Sequence, residues 1–339
     1  MNQIQKDETA NNYVPESETI LSVQGLECIY HNASGEPLRA INKISFDVYK
    51  GETLGLVGES GCGKSTTGKC LVQLEKASAG RVIFQGMDLL TGDKKSSHNQ
   101  KRPESKQQLQ MVFQDPISSL NPRRQCGEIV AEPLRISKKF DEKIIREKVT
   151  QALGLVGFDP VSVWDRKPHQ FSGGQCQRIS LARAIVSEPK FLICDEPVSA
   201  LDVSVQAQIL NLLEKMKVRY GLTMIFISHD LAVIKQICDR VAVMYLGSLC
   251  EIAPIEQLYS QPKHPYSQAL LQCVPDIDNP LAYDENDFIL GGEVPSPLNP
   301  PSGCRFRTRC PKAKALCAQQ EPSMQELETD QFVACHFPD

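Results

Sequence analysis

The sequence predicts an α/β fold built on a largely parallel sheet. Short apolar segments, typical of strands buried on both faces, recur at residues 52–58, 191–196 and 223–229. Helical stretches separate them, and in residues 204–220 apolar side chains recur at helical spacing. Strands that alternate with helices favour parallel pairing, because each crossover returns the chain to the same end of the sheet.

Composition shifts divide the chain into three parts. Residues 1–19 are polar and acidic, which predicts a flexible tail ahead of a main domain at 20–260. Inside that domain, residues 92–106 are wholly polar and predict an exposed loop, while residues from about 115 to 188 predict an inserted helical subdomain. From residue 261 prolines become dense and the alternation fades, which predicts a small C-terminal extension at 261–339.

Charge and hydropathy exclude some classes of protein. The chain has 339 residues with 37 Lys and Arg against 41 Asp and Glu, a net charge of −4. This balance gives no electrostatic reason to expect a nucleic-acid partner. No apolar run approaches the roughly 18–20 residues of a membrane helix, and the N-terminus lacks the pattern of a secretion signal. We therefore expect a cytoplasmic protein whose membrane contact is peripheral.

The most specific motif is G-x-x-x-x-G-K-S, between the strand at 52–58 and a helix that starts at Lys64. Its glycines let backbone N–H groups surround phosphate oxygens, and the helix N-terminus adds positive charge. Lys64 is expected to reach the β- and γ-phosphates of ATP, and the Ser65 hydroxyl to bind Mg²⁺. The predicted ATP-binding residues are Gly58, Glu59, Ser60, Gly61, Cys62, Gly63, Lys64, Ser65 and Thr66.

Two carboxylates leave the buried strand at 191–196. Asp195 is expected to bind Mg²⁺, directly or through water. Glu196 is expected to activate the attacking water as a general base. The pair complements the phosphate loop and predicts ATP hydrolysis.

A second anion-binding turn opens a helix after Phe171, with the residues Ser172, Gly173, Gly174 and Gln175. This segment resembles the LSGGQ signature of ABC-type ATPases, with Phe171 in place of leucine. The resemblance implies a P-loop NTPase domain with an antiparallel β subdomain and a helical subdomain. It also implies that two such domains stack head to tail, so that the signature of one closes over the ATP of the other.

Further positions match the same family in the expected order. By this resemblance, Gln114 links Mg²⁺ and the attacking water to the membrane partner, and His229 contacts the γ-phosphate. Tyr30 matches the aromatic residue that stacks on adenine, and the segment 199–202 matches the loop that crosses the dimer interface. The resemblance thus implies Mg²⁺ ligation by Ser65, Gln114 and Asp195.

Three longer segments, at 115–134, 264–270 and 292–297, resemble the ATPases of dipeptide, oligopeptide and nickel importers, and residues 58–63 and 226–231 resemble the F-type subunit in particular. This resemblance implies a heterodimer with a paralogous ATPase subunit, two transmembrane permease subunits and an extracytoplasmic peptide-binding protein. It implies a place at the cytoplasmic face of the bacterial inner membrane. The expected function is ATP hydrolysis that powers import of dipeptides or oligopeptides; import of nickel or another small solute, or a soluble ABC ATPase unlinked to transport, are the alternatives.

The extension contains four of the 13 cysteines, spaced C-x5-C-x6-C-x17-C: Cys304, Cys310, Cys317 and Cys335. Four soft thiolates within so short a segment are able to converge on one metal centre. The family resemblance favours a 4Fe–4S cluster. Structural zinc remains an alternative, since Cys₄ also suits tetrahedral Zn²⁺, and so does the absence of metal.

Overall fold

A computed structural model describes residues 18–32, 34–90, 108–199, 201–272 and 293–339. Most of the predicted tail, the predicted polar loop, Ala200, Cys273 and Gly292 lie outside these residues. In chain order the strands are β1 (Thr19–His31), β2 (Pro37–Tyr49), β3 (Thr53–Val57), β4 (Ala79–Phe84), β5 (Met87–Asp88), β6 (Leu109–Val112), β7 (Phe191–Asp195), β8 (Thr223–Ile227), β9 (Arg240–Tyr245), β10 (Ser248–Pro254), β11 (Gln325–Glu328) and β12 (Gln331–Val333).

The helices include one that starts at Lys64 and one that covers residues 204–220, as predicted. They are α1 (Lys64–Leu71), α2 (Pro116–Ser119), α3 (Cys126–Ser137), α4 (Glu142–Leu155), α5 (Pro160–Val163), α6 (Gly173–Ile185), α7 (Val203–Tyr220), α8 (Leu231–Ile237), α9 (Ile255–Ser260), α10 (Pro265–Gln272) and α11 (Ala315–Gln319). Within the described ranges, none of them is both long and apolar enough to cross a lipid bilayer.

Aspartate side chains begin many of these helices. The carboxylate accepts hydrogen bonds from N–H groups of the first turn, which have no partner inside the helix. The capping residues are Asp115 for α2, Asp141 for α4, Asp159 for α5, Asp202 for α7 and Asp230 for α8.

The main sheet has the order β11-β12-β10-β9-β3-β8-β7-β6. Pairing is parallel from β9 through β3, β8 and β7 to β6, which confirms the predicted largely parallel α/β sheet. Strands β3, β7 and β8 are buried along their whole length. Because neighbouring strands run in the same direction, their carboxyl ends lie along one edge of the sheet.

The two faces of this sheet are covered differently. On one face, apolar side chains of β3, β7 and β8 join those of α1 and of a second, antiparallel sheet with the order β2-β1-β4-β5. There the rings of Phe84 and Phe191 meet edge to face, with centroids 5.9 Å apart. On the other face, the core includes side chains of α3, α4, α6, α7 and α8. Burial on both faces explains why these strands read as continuous apolar runs.

The C-terminal extension contributes to the main sheet. Strand β12 pairs antiparallel with β10, with Val333 opposite Glu251, and β11 pairs with β12 at the outer edge. Phe306 of the extension is 1% exposed and lies in the same core as the helices. The boundary at residue 261 remains a prediction, but the sheet continues across it.

We predict opposite stability changes for two glycines in the helical subdomain. A Cβ at Gly127 would lie 2.4 Å from the Trp164 ring, whereas a Cβ at Gly154 meets nothing within 4 Å. Gly127→Ala should therefore destabilise the protein by about 1–3 kcal/mol through overpacking. The control Gly154→Ala should stabilise it by about 0.5–1 kcal/mol, because alanine favours helix. Thermal unfolding of the two purified variants measures both changes, and equal midpoints would contradict the predicted packing.

Candidate nucleotide-binding site

The phosphate loop connects β3 to α1 and depends on glycine geometry. Gly58 and Gly63 have φ values of 148° and 104°. A Cβ at Gly58 would lie 2.0 Å from the carbonyl oxygen of Met244, and one at Gly63 would lie 2.3 Å from that of Ala40. Only glycine therefore allows the loop to approach its neighbours this closely.

Lys64 is held inside this loop and is 5% exposed. Its ammonium group donates to the carbonyl oxygens of Gly58, at 2.7 Å, and Glu59, at 3.1 Å. The Lys64 ammonium group is thus held among backbone groups of the loop. An anionic phosphate bound there would meet both its positive charge and backbone N–H donors.

The expected Mg²⁺ ligands Ser65 and Asp195 lie together. The Ser65 hydroxyl donates to a carboxylate oxygen of Asp195 at 2.8 Å. Burial raises the pKa of Asp195, and the neighbouring Glu196 raises it further, while the Ser65 hydrogen bond opposes the shift. A divalent cation at this position would reverse the cost of the buried negative charge.

Glu196 contacts two of the other three predicted catalytic side chains. One carboxylate oxygen accepts a hydrogen bond from the Gln114 amide at 3.0 Å, and the other lies 3.3 Å from Nδ1 of His229. Glu196 itself has φ of 45°, unusual for a residue other than glycine. Such strain is typical of functional sites, where the surrounding fold imposes it. The four strand ends at β3, β6, β7 and β8 thus bring Lys64, Gln114, Glu196 and His229 to one edge.

A cavity of about 420 Å³ opens beside these residues. Tyr30 lies at its rim, and burial raises the pKa of the Tyr30 hydroxyl to about 12. Sequence reasoning missed several lining residues, because each comes from a turn or strand end that no local motif marks. These are Leu38, Arg39, Ala40, Leu246, Gly247 and Pro297.

The serine–glycine turn lies outside this cavity. Ser172 caps α6: its hydroxyl accepts from the N–H of Gln175 at 3.3 Å, while the Gln175 side chain accepts from the N–H of Ser172 at 3.0 Å. Ser172 is exposed, and the residues that line the cavity do not include it. The phosphate loop and the serine–glycine turn therefore do not share this cavity.

The four cysteines of the extension lie close to one another. Burial raises the pKa of Cys304 to about 11, and the thiols of Cys317, Cys335 and Cys310 raise it as well. The N–H of Phe337 donates to the sulfur of Cys335 at 3.4 Å. However, across the described residues no three Cys, His, Asp or Glu side chains are arranged to hold a single metal ion.

The extension also contacts the phosphate loop directly, which the sequence analysis did not foresee. Arg309 forms an ion pair with Glu59, with a shortest N–O distance of 2.7 Å. The Tyr266 hydroxyl accepts a hydrogen bond from the N–H of Glu59 at 3.0 Å. A basic residue between two cysteines was visible in the sequence, but no pattern there indicates its partner.

Comparison with known proteins identifies two family regions. Residues 41–199 match the ABC transporter family, and residues 250–317 match the oligopeptide/dipeptide transporter C-terminal region. The oligopeptide transport ATP-binding protein OppF of Haemophilus influenzae is 49% identical over 304 residues, covering 89% of this chain and 90% of that protein. AppF of Bacillus subtilis is 45% identical over 326 residues, covering 94% and 98%.

Solved structures agree on the fold. CbiO1 of Clostridium perfringens, described as part of the ABC transporter complex cbiONQ, superposes with a TM-score of 0.60 at 28% identity, covering 72% of this chain and 92% of that one. The identity and coverage of the sequence relatives decide the classification. The chain belongs to the family of ABC transporter ATP-binding subunits that carry the oligopeptide/dipeptide transporter C-terminal region.

Proposed function

We propose that this chain is the ATP-hydrolysing subunit that powers an importer of oligopeptides or dipeptides. The observation that carries the proposal is the convergence of a phosphate-loop lysine, a serine–aspartate pair and a glutamate between glutamine and histidine on one sheet edge. These are the groups needed to bind MgATP and activate water. The relatives named for oligopeptide transport, and the matching C-terminal region, support the choice of substrate.

The residues divide the chemistry as follows. The phosphate loop and Lys64 bind the phosphates of ATP, with Tyr30 against the adenine. Ser65, Asp195 and Gln114 would hold Mg²⁺, directly or through water. The Asp195 carboxylate, whose raised pKa reflects the cost of a buried charge, would be compensated by the positive charge of that ion.

Glu196 acts as the general base on the attacking water. Its carboxylate is oriented by hydrogen bonding to Gln114 and by the imidazole of His229. Orientation of a base by two neighbours is what proton abstraction in a fixed geometry requires. His229 also contacts the γ-phosphate. Departure of that phosphate therefore changes the surroundings of Glu196.

Hydrolysis requires two subunits. Ser172, Gly173, Gly174 and Gln175 of one subunit close over the γ-phosphate held by the other, because the two elements of one chain do not share a cavity. A paralogous ATPase subunit supplies the second half of each site, as a heterodimer. The loop at 199–202, in which the Ser199 hydroxyl donates to the carbonyl oxygen of Glu196 at 3.2 Å, links that interface to the base.

The closing of the dimer drives transport. The segment from Gln114 to Leu134 receives the coupling helix of a transmembrane permease subunit, at the cytoplasmic face of the inner membrane. Within it, Ile117 lies in the short helix that Asp115 caps and is 58% exposed. ATP binding closes the dimer and opens the permease outward, and hydrolysis reverses the movement. An extracytoplasmic binding protein delivers the peptide.

Glu196→Gln tests the base. The amide accepts no proton, so ATPase activity of the assembled transporter should fall by at least about 100-fold while ATP binding is retained. The matched control is Glu214→Gln, which changes an exposed glutamate on α7 and should leave the rate unchanged. Steady-state ATPase assays with both permease subunits present measure the effect, and an undiminished rate for Glu196→Gln would remove Glu196 from the mechanism.

Ile117→Asp tests the permease contact. A charge on an exposed apolar contact residue should weaken copurification with the permease subunits and abolish peptide uptake, while ATP binding to the chain itself is unchanged. Val218→Asp is the control, since Val218 is 79% exposed on α7, outside the Gln114–Leu134 segment. Equal copurification of the two variants would contradict a docking role for Ile117.

We further propose that Cys304, Cys310, Cys317 and Cys335 hold a 4Fe–4S cluster. Zinc would draw its four sulfurs to about 3.8 Å from one another, given Zn–S bonds of about 2.3 Å. The thiols are neighbours, yet no three of them are grouped for a single ion. A cluster accepts wider spacing, because each thiolate binds a different iron, and the N–H donor to the Cys335 sulfur suits it. The cluster would serve as a structural link in an extension with little core of its own.

Anaerobic purification tests this assignment. We expect about four irons and four sulfides per chain, with a visible thiolate–iron absorption band. Cys317→Ser should remove most of the iron. In the control Cys176→Ser, the hydroxyl can replace the thiol that donates to the carbonyl oxygen of Pro168, and iron should be retained. Stoichiometric zinc without sulfide in the wild-type chain would refute the cluster.

A further inference from the structure

A short loop of the extension lies against the phosphate loop. We name residues 304–310 the thiol loop, because its first and last residues are cysteines. Within it, Arg309 donates to both carboxylate oxygens of Glu59, at 2.7 and 3.0 Å. The Arg309 side chain is 5% exposed and that of Glu59 25%. A bidentate pair of this kind fixes both partners in one orientation.

The thiol loop reaches the phosphate loop at a second point. Arg305 donates to the carbonyl oxygen of Leu246. The next residue, Gly247, donates its N–H to the carbonyl oxygen of Cys62 at 2.8 Å, and Cys62 lies in the middle of the phosphate-loop motif. Two of the three arginines of the thiol loop, Arg309 and Arg305, thus support the phosphate loop near its start and near its middle.

Aromatic rings fill the space behind these contacts. The ring centroids of Tyr245 and Tyr266 are 4.7 Å apart, and that of Phe306 lies 5.2 Å from the first and 5.3 Å from the second. All three side chains are at most 1% exposed. The Tyr266 hydroxyl also accepts the N–H of Glu59. Close packing of this kind transmits a displacement of the thiol loop rather than absorbing it.

The position of Arg309 depends on the cysteines beside it. Its N–H donates to the carbonyl oxygen of Phe306 at 3.0 Å, and the N–H of Arg307 donates to the carbonyl oxygen of Cys304 at 3.2 Å. Cys310 follows Arg309 directly. Arg309 therefore lies in a loop that begins at Cys304 and ends at Cys310.

The charge on Glu59 gives this contact a consequence for nucleotide binding. Glu59 is a carboxylate inside a loop that otherwise offers N–H groups and a lysine to phosphate oxygens. Left unpaired and partly buried, it would repel the phosphates and would be costly to keep charged. The guanidinium of Arg309 neutralises it.

We propose that Arg309 is a positioning residue for the phosphate loop, through which the arrangement of the four thiols sets the affinity of this chain for ATP. The inference rests on ATP binding at the phosphate loop. It does not require that the thiols bind a metal, because the contacts belong to the loop itself.

Equilibrium binding of ATP to the purified full-length chain provides the first test. Arg309→Ala should weaken binding about tenfold, as expected for loss of hydrogen bonds to a charged group. Adding Glu59→Gln to that variant should restore most of the affinity, since it removes the uncompensated carboxylate. The matched control is Arg307→Ala, two residues away, where the native side chain donates to the carbonyl oxygen of Ser302 at 2.9 Å; it should bind ATP like the wild type.

Unchanged affinity in Arg309→Ala, or no recovery with Glu59→Gln, would overturn the proposal. A merely structural role would not give that recovery. If thermal unfolding shows that Arg309→Ala does not fold, Arg309→Lys is tested in its place. The lysine ammonium keeps the positive charge but not the bidentate geometry. We therefore expect an intermediate loss of ATP affinity that grows with salt concentration. Affinity like the wild type at all salt concentrations would then count against the proposal.

The link to the thiols is tested by a double variant, Cys304→Ser with Cys310→Ser, and by a triple variant that adds Arg309→Ala. The serine variant should weaken ATP binding, and the combined variant should lose little more, because the substitutions act through one contact. Independent, additive losses would overturn the link. Metal content separates the two proposals. Iron loss without any change in ATP affinity would contradict this inference but not the cluster. A metal-free wild-type protein in which Arg309→Ala still weakens ATP binding would support this inference and refute only the cluster.

Discussion

Parallel pairing of β3, β8, β7 and β6 is the constraint on which the nucleotide site depends. Each of these strands ends where a functional group begins, and the shared direction brings the four ends to one edge. Antiparallel pairing at any of these positions would send one group to the opposite side of the protein. The apolar runs that make these strands buried on both faces therefore also determine where the chemistry lies.

That edge concentrates charge at a cost to the folded chain. Asp195 is 2% exposed with a raised pKa, and Glu196 adopts a strained backbone conformation beside it. Neither feature improves the stability of the free protein. A cation bound beside Asp195 would supply the opposite charge, so binding would offset a cost of the buried carboxylate that folding alone does not relieve.

The grouping of most of the residues at this edge could be predicted from sequence, because their geometry is local. Lys64 lies within a few residues of the glycines that shape its loop, and Asp195 and Glu196 directly end a buried strand. The extension behaved differently. Arg309 is 250 positions from Glu59 along the chain, and Pro297 reaches the cavity from a proline-rich segment that shows no periodicity. Contacts of this range depend on how the sheet and its last strands are arranged, which the pattern of residues near either partner does not encode.

Strand β11 has a consequence for how the protein associates with others. It forms one border of the main sheet, and all four of its residues are exposed, including Glu326 and Glu328. A bare border offers unpaired peptide groups to any extended chain, but closely placed carboxylates at that border disfavour such pairing. Pairing of β11 with a strand of another molecule is thereby discouraged. Contacts with other proteins then form through side-chain surfaces elsewhere, where shape and charge select the partner.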